Sequence, residues 1–307
     1  MKILLVAPRT TNIRSATFDY VVWNFLLPLK TLGHQVEFYD TYLTTKDKFL
    51  PKVEEFEPEL IFCILTGDPG FGRNEPWDEL EAITDEGKIT TFNWFCDDAW
   101  RFDDWSCEKA ATFTAVSTTE PHLVSEYHNL GYENVRYFNW HSNESLYSIP
   151  NCPNQYDITF VGSMYGDRTR ILSEVIALHP ELENRIKVFS KVSFEEMIYL
   201  MNMSKISLSF AQNPNGPCKQ MKGRMFEIPA TNSLMVTEYT QGIEKSYEPN
   251  KEAVFFENSK ELGSKLIKLL SNNIVRSSIA DAGFARYQKD HTSEKRLGEL
   301  LEWLRYL

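Results

Sequence analysis

Three basic side chains lie close together in the second half of the sequence, a few residues ahead of a glutamate. The basic residues are Lys219, Lys222 and Arg224, and the glutamate is Glu227. A helix that starts near Gln220 would place Arg224 and Glu227 three residues apart on one face. Clustered cations can neutralise a diphosphate, and a carboxylate can bind the hydroxyls of a ribose. The spacing therefore indicates a site for a nucleoside diphosphate, although a surface Arg–Glu pair would give the same pattern.

A second place suited to an anion is the junction between a buried strand and the helix that follows it. The run DITFVGSMYGDRTRIL puts Gly162 and Ser163 at the end of the strand and Arg168 in the first turns of the helix. A glycine lets a phosphate approach backbone N–H groups, and the positive end of the helix dipole favours its negative charge. The alternative is an ordinary turn with a surface arginine.

Strand-like and helix-like segments alternate along the chain and must position these residues. KILLVA, at residues 2–7, is a continuous apolar run typical of a strand buried on both faces of a parallel sheet. Further strand-like runs follow at helix-length intervals, which predicts an α/β fold with a doubly wound parallel sheet. The turn-rich segment 141–155 interrupts the alternation, which restarts at residue 157. We therefore predict two Rossmann-like domains, 1–145 and 146–292, facing a cleft where ligands bind.

Net charge and composition restrict the partners. The chain has 307 residues, 42% of them hydrophobic, and a formal net charge of −11. The acidity belongs to one half, because residues 1–150 carry 12 basic and 24 acidic side chains and the remainder carries 20 and 19. Such an acidic half disfavours a nucleic-acid acceptor. No apolar run is long enough to span a bilayer and the N-terminus has no leader-like pattern, so we expect a cytoplasmic protein without a transmembrane segment.

Several motifs that would define another chemistry are missing from the sequence. It contains no GxGxxG, P-loop or GxSxG pattern. The absence of a DxD pair disfavours a metal-dependent sugar-nucleotide site. The five cysteines show no metal-like spacing, which indicates reduced thiols packed as small apolar residues. We therefore expect neither a metal nor a cofactor.

Five runs in the second half of the chain match a known family in the same order. They extend over residues 157–297 and read TFVGSMYGDRTRIL, LMNMSKISLSF, KGRMFEIPATNSLMVTEY, AVFFEN with KELGSKLIKLL, and HTSEKRL. This half resembles the CgeB-like (spore maturation protein) branch of the glycosyltransferases with the GT-B fold. In the first half, LKTLGHQVEFYD resembles the element after the first helix of many GT-B enzymes. The resemblance also implies that the last helix, within 293–307, packs back on the first domain.

The resemblance implies a role for each matching residue. Glu227 corresponds to the carboxylate that binds the ribose hydroxyls of the donor nucleotide. Gly162 and Ser163 correspond to the loop that faces the donor diphosphate. The basic positions that neutralise the leaving diphosphate correspond to Lys222 and Arg224.

One position departs from the family pattern. Many retaining members carry two glutamates in an E-x7-E arrangement, whereas the residue eight positions before Glu227 is Lys219. The departure leaves open whether transfer retains or inverts the anomeric configuration, and it puts the usual sugar contact in question.

The residues and the resemblance together predict a metal-independent glycosyltransferase. It would move a hexosyl group from a nucleoside-diphosphate sugar, with a UDP-sugar as the first expectation, to a hydroxyl of a glycan, protein or small molecule. The alternative is a non-catalytic protein of the same fold that binds a sugar nucleotide or a glycan.

Transfer to a hydroxyl calls for a general base from the first domain. The candidates are Asp97 and Asp98, which end the strand-like run TFNWFCDD and would reach the edge of a parallel sheet that faces the ligand. Asp68, after IFCILTG, is a weaker candidate for the same role, and Arg14 and His141 are candidates for contacts in the cleft. The alternatives are solvated turn carboxylates, a polar loop and a structural histidine.

Overall fold

The computed structural model describes residues 1–10, 19–67, 74–213, 216 and 218–307. Over these ranges the chain divides into two compact units, each built around its own parallel sheet. This confirms the predicted α/β class. The first unit is Met1–Trp140 together with Ser293–Leu307, and the second is His141–Thr292.

The first unit contains a six-stranded parallel sheet. Its first strand is buried from its second residue onward because KILLVA carries apolar side chains on both faces. The strand order is β2-β1-β3-β4-β5-β6, and every pair is parallel. The strands are β1 Lys2–Ala7, β2 Gln35–Asp40, β3 Leu60–Cys63, β4 Thr90–Phe95, β5 Ala115–Thr118 and β6 Val135–Tyr137.

Helices connect these strands. Those described in the first 140 residues are α1 Leu27–Thr31, α2 Phe49–Phe56, α3 Trp77–Glu86, α4 Asp98–Arg101, α5 Cys107–Lys109 and α6 Leu123–Asn129. Two π-helical turns, Val22–Leu26 and Phe102–Ser106, and two 3₁₀ turns, Lys46–Lys48 and Ala110–Thr112, extend them.

The second unit contains a five-stranded parallel sheet in the order β11-β10-β9-β7-β8. Its strands are β7 Tyr156–Val161, β8 Ile186–Phe189, β9 Ser204–Ser209, β10 Leu234–Glu238 and β11 Val254–Phe256. Its helices are α7 Glu144–Tyr147, α8 Arg168–Leu178, α9 Phe194–Asn202, α10 Arg224–Ala230, α11 Ile243–Ser246, α12 Ser259–Ser271 and α13 Asn273–Asp290, with a 3₁₀ turn at Pro180–Leu182.

The last helix, α14 Ser293–Leu304, belongs to the first unit. Its apolar stripe consists of Leu297, Leu300, Leu301 and Leu304, spaced three or four residues apart, and it is buried in the core that includes β1 and α1. No helix of the described part of the chain is long and apolar enough to cross a lipid bilayer.

The chain enters and leaves the second unit at the same place. The Ser142 N–H donates to the carbonyl of His291 over 3.3 Å, and Ser142 and Thr292 form a parallel bridge. The Tyr287 hydroxyl adds a hydrogen bond of 2.9 Å to the Ser142 carbonyl. The two ends of this unit are therefore fixed side by side.

The helix that carries the glutamate begins later than the sequence indicates. We expected it to start near Gln220, whereas α10 begins at Arg224. The Gln220 N–H donates to the carbonyl of Ala211, and Gln212 pairs with Lys219 in an antiparallel bridge. These contacts keep the chain extended through Gln220, so the helix forms only after it.

All five cysteines are free thiols. Cys63 and Cys96 are buried in the first unit, as expected of small apolar residues. Cys107, Cys152 and Cys218 are partly exposed, so the expectation of packed thiols fits only two of the five.

Candidate functional site

Glu227 is buried on α10, with only 4% of its surface exposed. One carboxylate oxygen, Oε2, accepts a charge-assisted hydrogen bond of 2.5 Å from Arg224 Nη1, three residues earlier. The other, Oε1, accepts a hydrogen bond of 2.8 Å from the hydroxyl of Tyr147. Asn202 in turn fixes the segment around Tyr147 by donating to its carbonyl over 2.7 Å. The carboxylate is therefore held in one orientation from two sides.

Arg168, the first residue of α8, is a buried cation with 5% of its surface exposed. Its guanidinium lies 3.6 Å from the ring centroid of Tyr165 and donates to the carbonyl of Ser163 over 2.6 Å. Burial lowers the pKa of Arg168. Tyr165 and the charge of Glu238 raise that pKa, and the charge of Arg224 lowers it further. Within the described residues Arg168 forms no ion pair, and its Nε has no hydrogen-bond partner. A guanidinium so placed has donors left for an anion.

Lys222 lies beside the same aromatic ring. Its Nζ is 5.8 Å from the ring centroid of Tyr165 and donates to Asn213 Oδ1 over 2.6 Å. Arg168 and Lys222 therefore place two positive charges beside the ring of Tyr165. Gly162 and Ser163, at the end of β7, are at least partly exposed. The Gly162 N–H donates to the Phe189 carbonyl over 2.9 Å, so this N–H is already occupied.

Lys219 is engaged elsewhere. Its Nζ forms an ion pair of 2.9 Å with Glu238 Oε1 at the end of β10. Glu238 Oε2 also accepts hydrogen bonds from the N–H groups of Ala211 and Gln212, at 3.0 and 3.3 Å. The three cations expected to gather are therefore divided, because the charge of Lys219 is balanced by a carboxylate.

Segments 211–213 and 218–220 pair with each other through backbone bonds, and we call them the hairpin. Gln212 connects this hairpin to the loop after β7. Gln212 Oε1 accepts the Asp167 N–H over 2.7 Å, and it lies 2.6 Å from the position that a Cβ on Gly166 would occupy. Gly166 has a φ of +57°, so both its backbone conformation and the close approach require glycine. This contact fixes the loop immediately before Arg168.

In the first unit, Asp97 and Asp98 occupy different environments. Asp98 is 1% exposed and accepts hydrogen bonds from Ser106 Oγ at 2.5 Å and from the Tyr127 hydroxyl at 3.0 Å. Burial raises its pKa to about 6. Asp97 is half-buried and, with Thr66, Asp98 and Arg101 among others, lines a small pocket. Since Asp98 is enclosed by its own donors, Asp97 is the better placed of the two to contact a ligand.

The structure gives Asp98 a role in stability. We expect Asp98→Ala to lower the free energy of unfolding by about 2–4 kcal/mol, because it leaves the Ser106 and Tyr127 hydroxyls unsatisfied in the interior. Urea denaturation would measure the loss. The exposed Asp103→Ala variant is the matched control and should stay within about 0.5 kcal/mol of the wild type. Equal stability of the two variants would contradict this role.

The structure gives none of the other three candidates a place at a ligand site. His141, the first residue of the second unit, is fully buried, so it is not exposed to a ligand. Arg14 and Asp68 lie outside the residues that the structure describes. In the described ranges, no cluster of three His, Cys, Asp or Glu side chains is arranged to hold a metal ion.

Sequence reasoning missed two residues of the second unit. Tyr147, which orients Glu227, lies in the turn-rich segment 141–155, in which the sequence pattern indicated no functional residue except His141. Glu238, which pairs with Lys219, is the last residue of the apolar strand β10. A carboxylate at the end of a buried strand was the signal that singled out Asp97, and it could have identified Glu238 as well.

Several solved glycosyltransferases share this fold. The chain resembles Anabaena HepE in complex with UDP-glucose, with a TM-score of 0.67 and 13% identity over 100% of both chains. It also resembles sucrose-phosphate synthase from Thermosynechococcus elongatus, with a TM-score of 0.65 and 10% identity over 99% of both chains. A glycosyltransferase from Rickettsia africae gives a TM-score of 0.62 at 13% identity, over 99% of this chain and 98% of the other. The two parallel sheets thus have the GT-B architecture.

No curated protein matches the sequence. A family model described as glycosyl transferase-like matches residues 144–302, more than half of the chain. The match includes Tyr147, Arg168, Lys222 and Glu227, that is, both the fixed carboxylate and the buried guanidinium. The chain therefore belongs to the glycosyl transferase-like family.

Proposed function

We propose that this glycosyltransferase moves a hexosyl group from a nucleoside-diphosphate sugar, with UDP as the nucleotide, to an acceptor hydroxyl without using a metal. The observation that carries the proposal is the buried Arg168, which has no carboxylate partner among the described residues. A buried cation is stable only with compensation, and a diphosphate would supply it. UDP-glucose in the HepE structure is consistent with this donor.

The charge distribution suits the departure of the diphosphate. When the bond between the sugar and the diphosphate breaks, negative charge develops on the leaving oxygen. Arg168 and Lys222 would stabilise that charge, together with the N-terminal end of α8. Because these groups are fixed by Tyr165, Ser163 and Asn213, little reorganisation is needed during the reaction.

Glu227 is the proposed ligand of the ribose. Each of its oxygens already accepts one hydrogen bond, and each keeps a second lone pair for a ribose hydroxyl. Arg224 and Tyr147 would then hold the carboxylate charged and correctly oriented. Arg224 also connects the two parts of the proposed site, since its charge acts on Arg168.

The acceptor side is proposed to be the acidic first unit, with Asp97 beside the pocket at the end of β4. The acidity favours a glycan, protein or small-molecule acceptor over nucleic acid. Membership of the CgeB-like branch and a cytoplasmic location complete the proposal. The branch assignment rests on the sequence runs between residues 157 and 297.

One observation favours a second candidate function, a non-catalytic protein that binds a sugar nucleotide. The position eight residues before Glu227 carries Lys219, and the ion pair with Glu238 occupies its ammonium group. A protein that lacks the usual sugar contact could bind the nucleotide without transferring the sugar.

A thermal-shift series with UDP, GDP, dTDP and CDP tests the donor. At 100 times its dissociation constant, the preferred nucleotide should raise the midpoint by roughly 5–10 °C, because it binds the folded state only. Uridine is the control, since it lacks the diphosphate and should have little effect. Release of glucose from UDP-glucose would then distinguish the two functions. Binding of UDP without hydrolysis or transfer favours the second, and no response to any nucleotide contradicts both.

A further inference from the structure

Glu120 is a buried glutamate with a carboxylate oxygen, Oε1, that has no hydrogen-bond partner among the residues that the structure describes. It lies two residues beyond β5 and is 5% exposed. Its Oε1 is buried and has no hydrogen-bond partner among the described residues, and Glu120 forms no ion pair there. Buried polar side chains are normally satisfied, because burial without a partner costs free energy. An exception of this kind calls for an explanation in terms of function.

The position of Glu120 follows from the pairing of β4 and β5. The strands are parallel, and Phe95 faces Thr118 at their carboxyl ends. The adjacency continues beyond the strands, since Thr119 Oγ1 donates to the Cys96 carbonyl over 3.3 Å. Glu120 therefore lies at the level of Asp97, on the edge of the sheet where α/β proteins bind ligands.

The groups around Glu120 do not neutralise it. Asp98 is close enough to act on it electrostatically, but its oxygens are occupied by Ser106 and Tyr127. Burial, and then the charge of Asp98, raise the pKa of Glu120 to about 8. Tyr137 on β6 is another titratable neighbour, and it accepts a hydrogen bond from Asn139. Burial raises the pKa of Tyr137, the charge of Arg296 lowers that pKa, and the charge of Glu120 raises it. A carboxylate in such surroundings is a strong base for its type.

We propose that Glu120 is the general base that takes the proton of the acceptor hydroxyl. The inference rests on the proposed glycosyl transfer. As the acceptor oxygen bonds to the anomeric carbon, its proton passes to a Glu120 oxygen. The bond from the anomeric carbon to the diphosphate oxygen breaks, and the electron pair of that bond stays on the departing diphosphate. Asp98 is a positioning residue, since its charge keeps Glu120 basic.

Hydrolysis of UDP-glucose, with water as the acceptor, provides the test. We expect Glu120→Gln to lower the rate of glucose release at least about 100-fold, the usual contribution of a general base. UDP affinity should stay within about twofold of the wild type, because Glu120 has no part in the proposed donor site. The wild-type rate should rise with pH up to about 8, since the base must be deprotonated, and the variant should lose that rise.

Two further variants make the result specific. Glu126→Gln, an exposed glutamate on α6, is the matched control and should hydrolyse UDP-glucose normally. Sodium formate should restore part of the activity of Glu120→Ala by supplying a carboxylate, which a purely structural role would not allow. Normal hydrolysis by Glu120→Gln, or a loss confined to Asp97→Asn, overturns the inference. A wild-type protein that binds no UDP and releases no glucose overturns the proposed function instead.

Discussion

Replacing Arg168 by methionine is expected to weaken UDP binding at least about 100-fold while leaving the free protein as stable as before or more stable. Charge-assisted hydrogen bonds to a phosphate contribute about 1.5–3 kcal/mol each, and a guanidinium makes two in its bidentate mode. Methionine retains the packing of the stem against Tyr165 and Phe160 but removes a buried charge that has no carboxylate partner among the described residues. The two effects therefore have opposite signs, which distinguishes an anion-binding arginine from a structural one. Isothermal titration with UDP and urea denaturation measure them separately.

The neighbouring arginine on the same helix provides the control. Arg170 is exposed and forms ion pairs with Asp167 and Glu174, so Arg170→Met should bind UDP with nearly unchanged affinity. Arg168→Lys should fall between the wild type and Arg168→Met, because it keeps the charge but loses the planar fork. If Arg168→Met binds UDP as tightly as the wild type, the diphosphate site is elsewhere.

The second large effect concerns the ribose. Glu227→Ala is expected to weaken UDP binding by about 1–3 kcal/mol, the range for charged hydrogen bonds. If the carboxylate contacts the ribose hydroxyls, the wild type should prefer UDP to 2′-deoxy-UDP, and the variant should lose that preference. Comparing both nucleotides with both proteins forms a double-mutant cycle that isolates the contact.

Tyr147→Phe is the companion variant for Glu227. It removes one hydrogen bond to Oε1 and leaves the charge and the contact with Arg224 intact. We expect a smaller loss of affinity than in Glu227→Ala, with the preference for ribose retained. A Glu227→Ala protein that still discriminates between the two nucleotides would show that its carboxylate orients α10 and does not touch the ribose.

The hydrophobic pattern was sufficient to predict the architecture. Buried parallel strands such as β1 and β3 are continuous apolar runs, and such runs can be identified without knowledge of their neighbours. The Arg224–Glu227 pair was also predictable, because both residues lie within one helical turn.

Contacts between distant residues account for what the sequence did not show. The Tyr147–Glu227 bond joins residues 80 positions apart, and the Lys219–Glu238 pair joins the hairpin to the end of a strand. The late start of α10 has the same origin, since the hairpin bonds at Gln220 compete with helix formation. The burial of Asp98 likewise depends on Tyr127, which belongs to another helix. Local spacing carries no information on such pairings.

The parallel bridge between Ser142 and Thr292 has a consequence for folding. When a long segment is inserted into a folded unit, its two ends must be brought together, and this loop closure lowers the conformational entropy of the chain. The cost depends only weakly on the length of the insertion. Here the ends are held together by the second unit itself, through backbone bonds and the Tyr287 hydroxyl. Once the second unit has folded, residues 142 and 292 are therefore already adjacent, and α14 follows directly after this bridge. The entropic cost of bringing α14 to the first unit is therefore close to that of a chain in which α14 followed Trp140 directly.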